Sequence, residues 1–230
     1  MSNQLTESGS PLSKALTGAT AAMLMACALA RSVAWAAPPP PDPTVDKPPS
    51  VAVALQTAVF AGGCFWGVDA VFKHVKGVAE VESGYAGGNA TTAQYEKVSS
   101  GATGHAEAVR VRFNPAEVSY QQLLQVFFKV AHDPTQLNRQ GPDVGSQYRS
   151  AIFFIDAEQH KAAQNHVQQL TASHAFPRPV VTQIVPLQTF YPAEKYHQNY
   201  LALHPDQPYI VFNDLPKLDQ LKRQFPGLYR

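Results

Sequence analysis

The stretch Thr57-Ala58-Val59-Phe60-Ala61-Gly62-Gly63-Cys64-Phe65-Trp66-Gly67 changes its periodicity half-way along. Residues 57–61 form a short apolar run that ends on two glycines, the pattern of a buried strand running into a turn. Beyond the glycines, apolar residues fall at Phe65, Val68, Val71, Phe72 and Val75, the stripe of an amphipathic helix. Cys64 therefore stands where a strand turns into a helix. Free backbone N–H groups and the helix dipole favour negative charge at such a point. Its thiol is expected to ionise below the ordinary pKa of about 8.5. Glycines allow a substrate or a backbone to approach closely, and the two aromatic neighbours supply an apolar wall. The pattern reads as a reactive cysteine, with a buried structural cysteine as the alternative.

Working outward, residues 78–85, 107–113, 151–155 and 180–187 alternate or run apolar as strands. Residues 120–130, 157–170 and 193–203 carry helical patterns, and the proline-containing tail after His204 is expected to be irregular. Strand and helix alternate, so the class is α/β or α+β with one central sheet.

A chain of 230 residues has room for one domain with a real core plus appendages. The net charge of +1 and a charged fraction of 15% give no nucleic-acid footprint and no steering field for acidic substrates. The two cysteines, Cys27 and Cys64, make neither a disulfide framework nor a Cys-x-x-Cys zinc pair. The eight histidines contain no His-x-x-x-His pair, so no protein-bound metal is expected.

The N-terminal segment reads separately. Residues 1–14 are polar and end in Lys14, residues 15–30 are uncharged and rich in Ala, Leu and Met, and Ala34-Trp35-Ala36 offers a cleavage site. These features predict a secretory signal peptide over 1–36. The apolar run is shorter than the about 20 residues that span a bilayer comfortably. A retained membrane anchor is one alternative, and lipidation at Cys27 within Leu24-Met25-Ala26-Cys27 is another. Residues 37–55 are proline-rich, an extended linker that cannot pack. The domain is expected over 56–230, exported to the periplasm or beyond.

Two further polar, glycine-containing loops precede strands: Gly101-Ala102-Thr103-Gly104-His105-Ala106-Glu107, with Tyr95 upstream, and Gly141-Pro142-Asp143-Val144-Gly145-Ser146-Gln147-Tyr148. Loops at strand ends often carry sites, although each alone reads as an ordinary turn. A cysteine hydrolase would need a histidine base such as His105 or His197, and the local thiol-protease signatures are missing. A non-enzymatic binding or redox-sensing domain is a third class.

Taken together, G-C-F-W-G at 63–67, S-G-Y-A-G-G at 83–88, Y-E-K-V-S-S-G-A-T-G-H-A-E at 95–107, H-D-P-T-Q-L-N-R-Q-G-P-D-V-G-S-Q-Y-R-S at 132–150 and A-E-K-Y-H-Q-N-Y at 193–200 resemble the methionine sulfoxide reductase A family in composition and order. The resemblance implies a two-layer, ferredoxin-like sandwich with elaborations and a central mixed sheet. It implies peptide-methionine (S)-S-oxide reductase activity on free methionine sulfoxide and oxidised proteins, through a sulfenic acid on Cys64. Glu107 would protonate the sulfoxide oxygen, Tyr95 and Tyr148 would orient it, Phe65 and Trp66 would cradle the S-methyl group, and Asp143 would order the site. Asp69 stands where the family often has Glu. The resolving cysteines that many members carry near the C-terminus have no counterpart before Arg230. Recycling is therefore expected to use an outside thiol: a thioredoxin-like protein, glutaredoxin or glutathione, or dithiothreitol in vitro. No bound cofactor is implied, and the chain is expected to act as a monomer.

Overall fold

The computed structural model of the protein describes residues 54–230. The expected signal peptide and all but the last two residues of the expected linker lie outside the described residues. In chain order come β1 (Gln56–Gly62), α1 (Phe65–Lys73), β2 (Val78–Ala86), α2 (Tyr95–Val98), β3 (Ala106–Phe113) and α3 (Tyr120–Val126). A hairpin of β4 (Arg139–Gln140) and β5 (Asp143–Val144) precedes β6 (Ser150–Phe154), α4 (Ala157–Ala172), β7 (Gln183–Pro186), β8 (Phe190–Pro192), α5 (Tyr200–Leu203) and α6 (Leu215–Gln224).

The main sheet has the order β7-β6-β1-β3-β2-β8. β3 lies between β1 and β2 and runs antiparallel to both. β1 and β2 therefore point the same way, and β1-α1-β2 is a split βαβ unit of the ferredoxin-like kind. β6 and β7 pair in parallel across α4, which makes the sheet mixed.

Side-chain alternation sorts the strands into two apolar faces. Ala58, Phe60, Val109, Val111, Phe113 and Ile152 join residues of α1, α3 and α4 in the larger core. Val59, Ala61, Ala106, Ala108, Ala151 and Phe153 form a smaller, alanine-rich face, covered by Phe190 and flanked by Val185 and Leu187. The helices share one face, which gives the two layers. Phe60 sits at the centre of that layer. Its ring stacks on Phe72 at 5.1 Å and on Phe127 at 4.9 Å. α3 starts with a capping box, in which the Ser119 hydroxyl accepts from the Gln122 amide and the Gln122 side chain accepts from the Ser119 amide.

Two expectations are corrected. Residues 193–203 do not form one helix. A single 3-10 turn at Lys195–His197 is followed by Asn199 at φ +56° and the one α-helical turn of α5. The cause is the Gln198 side chain, whose amide nitrogen donates to the Ser83 and Ala193 carbonyls while its oxygen accepts from the Ser83 amide. The tail after His204 is not irregular. A π-helical turn at Ile210–Asp214 leads into α6. Pro216 is tolerated because the first turn of a helix has no N–H partner to lose. Leu218 and Leu221 then provide the apolar contact, with Leu221 fully buried.

Replacing the central ring should cost the most stability per atom removed. Phe60→Ala is expected to lower unfolding free energy by about 3–5 kcal/mol. Urea titration would show this as a lower midpoint with an unchanged slope. A loss below about 1 kcal/mol would mean that the stack is not the centre of the core.

Candidate active site

β1 delivers the chain to Gly62, whose hydrogens face the His132 ring; a Cβ there would lie 3.1 Å from it. The His132 imidazole is fixed between the Phe127 carbonyl and the Ser150 hydroxyl. Burial, with the Lys217 charge adding to it, holds this imidazole down at about 4, so it stays neutral. Gly63 then turns at φ +93°, and a side chain there would strike the Gln140 stem at 2.5 Å. Gln140 is locked in turn by two hydrogen bonds to the Asp133 backbone. These contacts give the 132–150 stretch its first task, which is to brace the turn that carries Cys64.

Cys64 occupies the N-cap position of α1 and is 8% exposed. Glu107 approaches from below. On β3 the residues 107, 109, 111 and 113 share the helix-facing side of the sheet, so its carboxyl points under the start of α1. The Phe65 N–H donates to Glu107 Oε2 at 3.0 Å. Glu107 is 2% exposed, and burial pushes its carboxyl up to about 8, against the pull of that amide and with help from the Asp143 charge. At neutral pH it is a neutral acid.

The thiol departs from expectation. Burial pushes the Cys64 thiol well up, the charges of Glu107 and Asp214 push the same way, and the Trp66 amide pulls back too weakly. The helix start does offer its amides, but Glu107 takes the first of them. Desolvation then outweighs the dipole. The resting thiol is protonated.

The seven residues expected at the site, Cys64, Phe65, Trp66, Tyr95, Glu107, Asp143 and Tyr148, line one cavity of about 180 Å³. That volume suits the end of one side chain and falls below the about 300 Å³ at which drug-sized sites begin. Trp66 is held rigidly: its indole N–H donates to His197 Nδ1 at 3.1 Å, and its ring stacks on Tyr200 at 3.7 Å. Tyr95 is placed by Glu194, which accepts from the Tyr95 amide at 3.0 Å and from the Tyr85 hydroxyl at 2.8 Å. Burial, then the nearby Glu107 charge, raises the phenols of Tyr95 and Tyr148, which remain hydroxyl donors at neutral pH. Asp69 lies outside the cavity on the buried side of α1, paired with Lys73 at 2.8 Å.

One lining residue was not anticipated. Tyr209 enters from the segment ahead of α6, donates its hydroxyl to Asp143 Oδ2 and sets its ring edge-on to Trp66. Nothing local marks it in the sequence, because an isolated tyrosine between prolines and apolar residues reads as surface. His105 and His197 do not line the cavity; His105 faces the Asn89 carbonyl at 3.0 Å and His197 serves Trp66. Among the described residues no cluster of three or more His, Cys, Asp or Glu is arranged to hold a metal ion.

Chemically, the cavity holds a nucleophile in waiting, a neutral acid, three phenols and an aromatic wall. Known proteins are similar to this chain in sequence and fold. The family model described as peptide methionine sulfoxide reductase matches residues 56–227. Peptide methionine sulfoxide reductase MsrA 2 of Mesorhizobium japonicum is 57% identical over 174 residues, 76% of this chain and 89% of its own length. The protein of that name in Synechocystis is 49% identical over 187 residues, 80% of this chain and 87% of its own. Among solved structures, reduced Mxr1 from Saccharomyces cerevisiae superposes with a TM-score of 0.63 at 31% identity, over 68% of this chain and 89% of that one. Methionine sulfoxide reductase A of Corynebacterium diphtheriae gives 0.59 at 33% identity, over 66% and 76%. A match that spans nearly all of the described residues, joined to a cavity in which a thiol meets a neutral carboxyl, leads to one conclusion: the chain belongs to the peptide methionine sulfoxide reductase family.

Proposed function

We propose that this chain reduces methionine-(S)-sulfoxide, free or within oxidised proteins, to methionine, and so repairs oxidative damage. The observation that carries the proposal is the placing of one protonated thiol and one neutral, buried carboxyl in the same small cavity. Glu107 gives its proton to the sulfoxide oxygen, which makes the sulfur electrophilic. The Cys64 sulfur attacks that sulfur while its own proton returns to the Glu107 carboxylate. The oxygen then passes to Cys64 as a sulfenic acid, methionine leaves, and Cys64 has lost the two electrons that the substrate sulfur gained. An ionised Glu107 would turn lone pairs toward the oxygen and could not donate, so burial of this group is part of the chemistry.

The stereochemistry has the same source. A sulfoxide sulfur carries an oxygen, a methyl group and the rest of the side chain. With Glu107, Tyr95 and Tyr148 toward the oxygen, Phe65 and Trp66 against the methyl and Cys64 at the sulfur, one hand of the sulfoxide fits. Among the described residues Cys64 is the single thiol. The sulfenic acid therefore waits for an outside thiol, either a thioredoxin-like protein or a small thiol of the glutathione class, and dithiothreitol serves in vitro. The domain works as a monomer, exported behind residues 1–36 and tethered by the linker 37–55 until cleavage. The polar start, apolar run and Ala34-Trp35-Ala36 support the export.

Cys64→Ser should reduce sulfoxide turnover to background with the fold intact. The reduced, leaderless parent, given excess methionine-(S)-sulfoxide and no reductant, should release about one methionine per chain, with one oxygen added at Cys64 by mass spectrometry. A burst of two or more would mean that a second thiol takes part.

The acid sets a pH dependence. In the parent, the single-turnover rate should hold below pH 8 and fall as Glu107 ionises above its pKa of about 8. Glu107→Gln should lose about 10²–10⁴-fold in rate, together with that basic limb. The folded-state pKa lies above the unfolded one, so Glu107 costs stability as pH rises from about 4.5 to about 8. Urea midpoints of parent and Glu107→Gln should therefore diverge across that range, the variant becoming the more stable. Parallel midpoints from pH 5 to pH 9 would show that Glu107 is not a buried neutral acid.

Export has its own test. The native protein should begin near Ala37 and fractionate outside the cytoplasm. An intact form beginning at Met1 in the cytoplasm would overturn the reading, and a lipid on Cys27 would replace it with an anchored form.

A further inference from the structure

The segment that follows α5 brings a phenol to the cavity that the proposed reaction has not yet used. Tyr209 is anchored from both sides. Ile210, next in the chain, is fully buried against Ala70 of α1 and Leu201. Farther on, Asp214 is fully buried, bonded to Lys217 at 3.1 Å and pressed against the backbone of Gly67, where a Cβ would lie 2.0 Å from its Oδ1. Gly67 is thus the contact that lets this segment lie on the first turn of the helix carrying Cys64. With the segment fixed there, the Tyr209 ring stands edge-on to Trp66 at 5.9 Å and its hydroxyl reaches Asp143 on the β4–β5 hairpin.

Asp143 has little else to hold it. It belongs to a hairpin of two paired residues on each side, and the neighbouring Val144 is exposed. Its carboxyl is half-buried, and burial raises it above the ordinary carboxylate range; the Tyr209 hydroxyl and the Lys217 charge limit that rise. The position of its negative charge matters because it bears on the acid. Burial is the main cause of the raised Glu107 carboxyl and this charge is a lesser one; it acts on Cys64, Tyr95 and Tyr148 in the same direction.

We propose that Tyr209 is a positioning residue for the reduction: its hydroxyl fixes the Asp143 carboxylate at the wall of the cavity that Cys64 and Glu107 share. The proposal rests on the sulfoxide-reductase reading of the site. Glu107 is faced by the Cys64 thiol on α1, Tyr85 on β2, Tyr95 on α2, Asp143 on β5 and Tyr148 ahead of β6. Asp143 is faced by Tyr209 and by the opposed charges of Lys217 and Asp214. Of these groups, the hydroxyl of Tyr209 alone ties the carboxylate in place by a side-chain hydrogen bond. Without that bond Asp143 either takes up a proton or swings outward. Both outcomes weaken its field at Glu107, so both move Glu107 ionisation to lower pH.

The test is the pH profile of the single-turnover rate with excess methionine-(S)-sulfoxide and no reductant, read alongside near-ultraviolet circular dichroism as a check on folding. Tyr209→Phe keeps the ring against Trp66 and removes only the donor. Its basic limb should fall about one pH unit below the parent's, as for a carboxyl that loses a nearby charge. At pH 8 the rate would then be about fivefold lower than the parent's, the arithmetic of that displacement. Asp143→Asn should move the limb the same way, and adding Tyr209→Phe to it should move it no further, because the two act as one unit. A limb that stays at the parent's pH in Tyr209→Phe, with only KM raised, would make Tyr209 a mere wall and overturn the proposal. An unmoved limb in Asp143→Asn overturns it too, even if Tyr209→Phe fails to fold. Failure of the parent to release methionine at all would instead sink the underlying assignment of activity.

Discussion

The hydrogen bond from the Phe65 amide to Glu107 Oε2 is the contact on which the site is built. It joins the first amide of α1 to a side chain on β3, 42 residues away, across the boundary between the two layers. It does so at a point where water is excluded, so the carboxyl is neither paired with a cation nor left free. A helix start ordinarily rewards an anion. Here burial overrides that reward, and both Glu107 and Cys64 rest in their neutral forms. A sheet that placed Glu107 one residue earlier or later would turn it to the alanine-lined face and leave the thiol without an acid.

Irregular chain, more than regular elements, fixes the other groups. Gln140 braces the Gly63 turn through the Asp133 backbone. Glu194 seats Tyr95 and Tyr85 together. Burial alone would raise the Glu194 carboxyl, but the hydrogen bonds it accepts turn the shift downward, so it stays an ionised acceptor. Gln198 plugs into β2 beside Ser83 as a substitute for backbone pairing. Each of these side chains belongs to a loop or to the short β4–β5 hairpin, and each satisfies polar groups that would otherwise be buried without partners. The geometry of the cavity is thus set by amides and carboxyls reaching back into the sheet.

Much of this could be read from residues alone. The switch from an apolar run to a helical stripe across Gly62-Gly63 placed Cys64 at the head of α1, and the strands expected at 78–85, 107–113 and 151–155 fall within one residue of β2, β3 and β6. What escaped was set by long-range contact. Residues 193–203 have a helical stripe, yet the hydrogen bonds of Gln198 to β2 are worth more than helix propensity, which is a weak local preference. The tail hid a helix because its prolines suggested irregular chain, although Pro216 is at home in a first turn. The thiol misled for a deeper reason: sequence places it at a helix start but does not give the degree of burial, and burial decides the sign of the shift. Tyr209 was invisible because its partner, Asp143, lies 66 residues earlier in the chain.

The protonated state of Cys64 has a practical corollary. Electrophilic labels rank cysteines by the fraction present as thiolate and by access. A thiol that is 8% exposed and raised well above its ordinary pKa ranks low on both counts. In the proposed reaction it yields its proton only when a sulfoxide oxygen is there to take up the proton of Glu107. Proteome-wide alkylation surveys would therefore class this residue with inert core cysteines, and an inhibitor built on a warhead alone would pass it by. A ligand that first presents an oxygen to Glu107 would meet a different thiol.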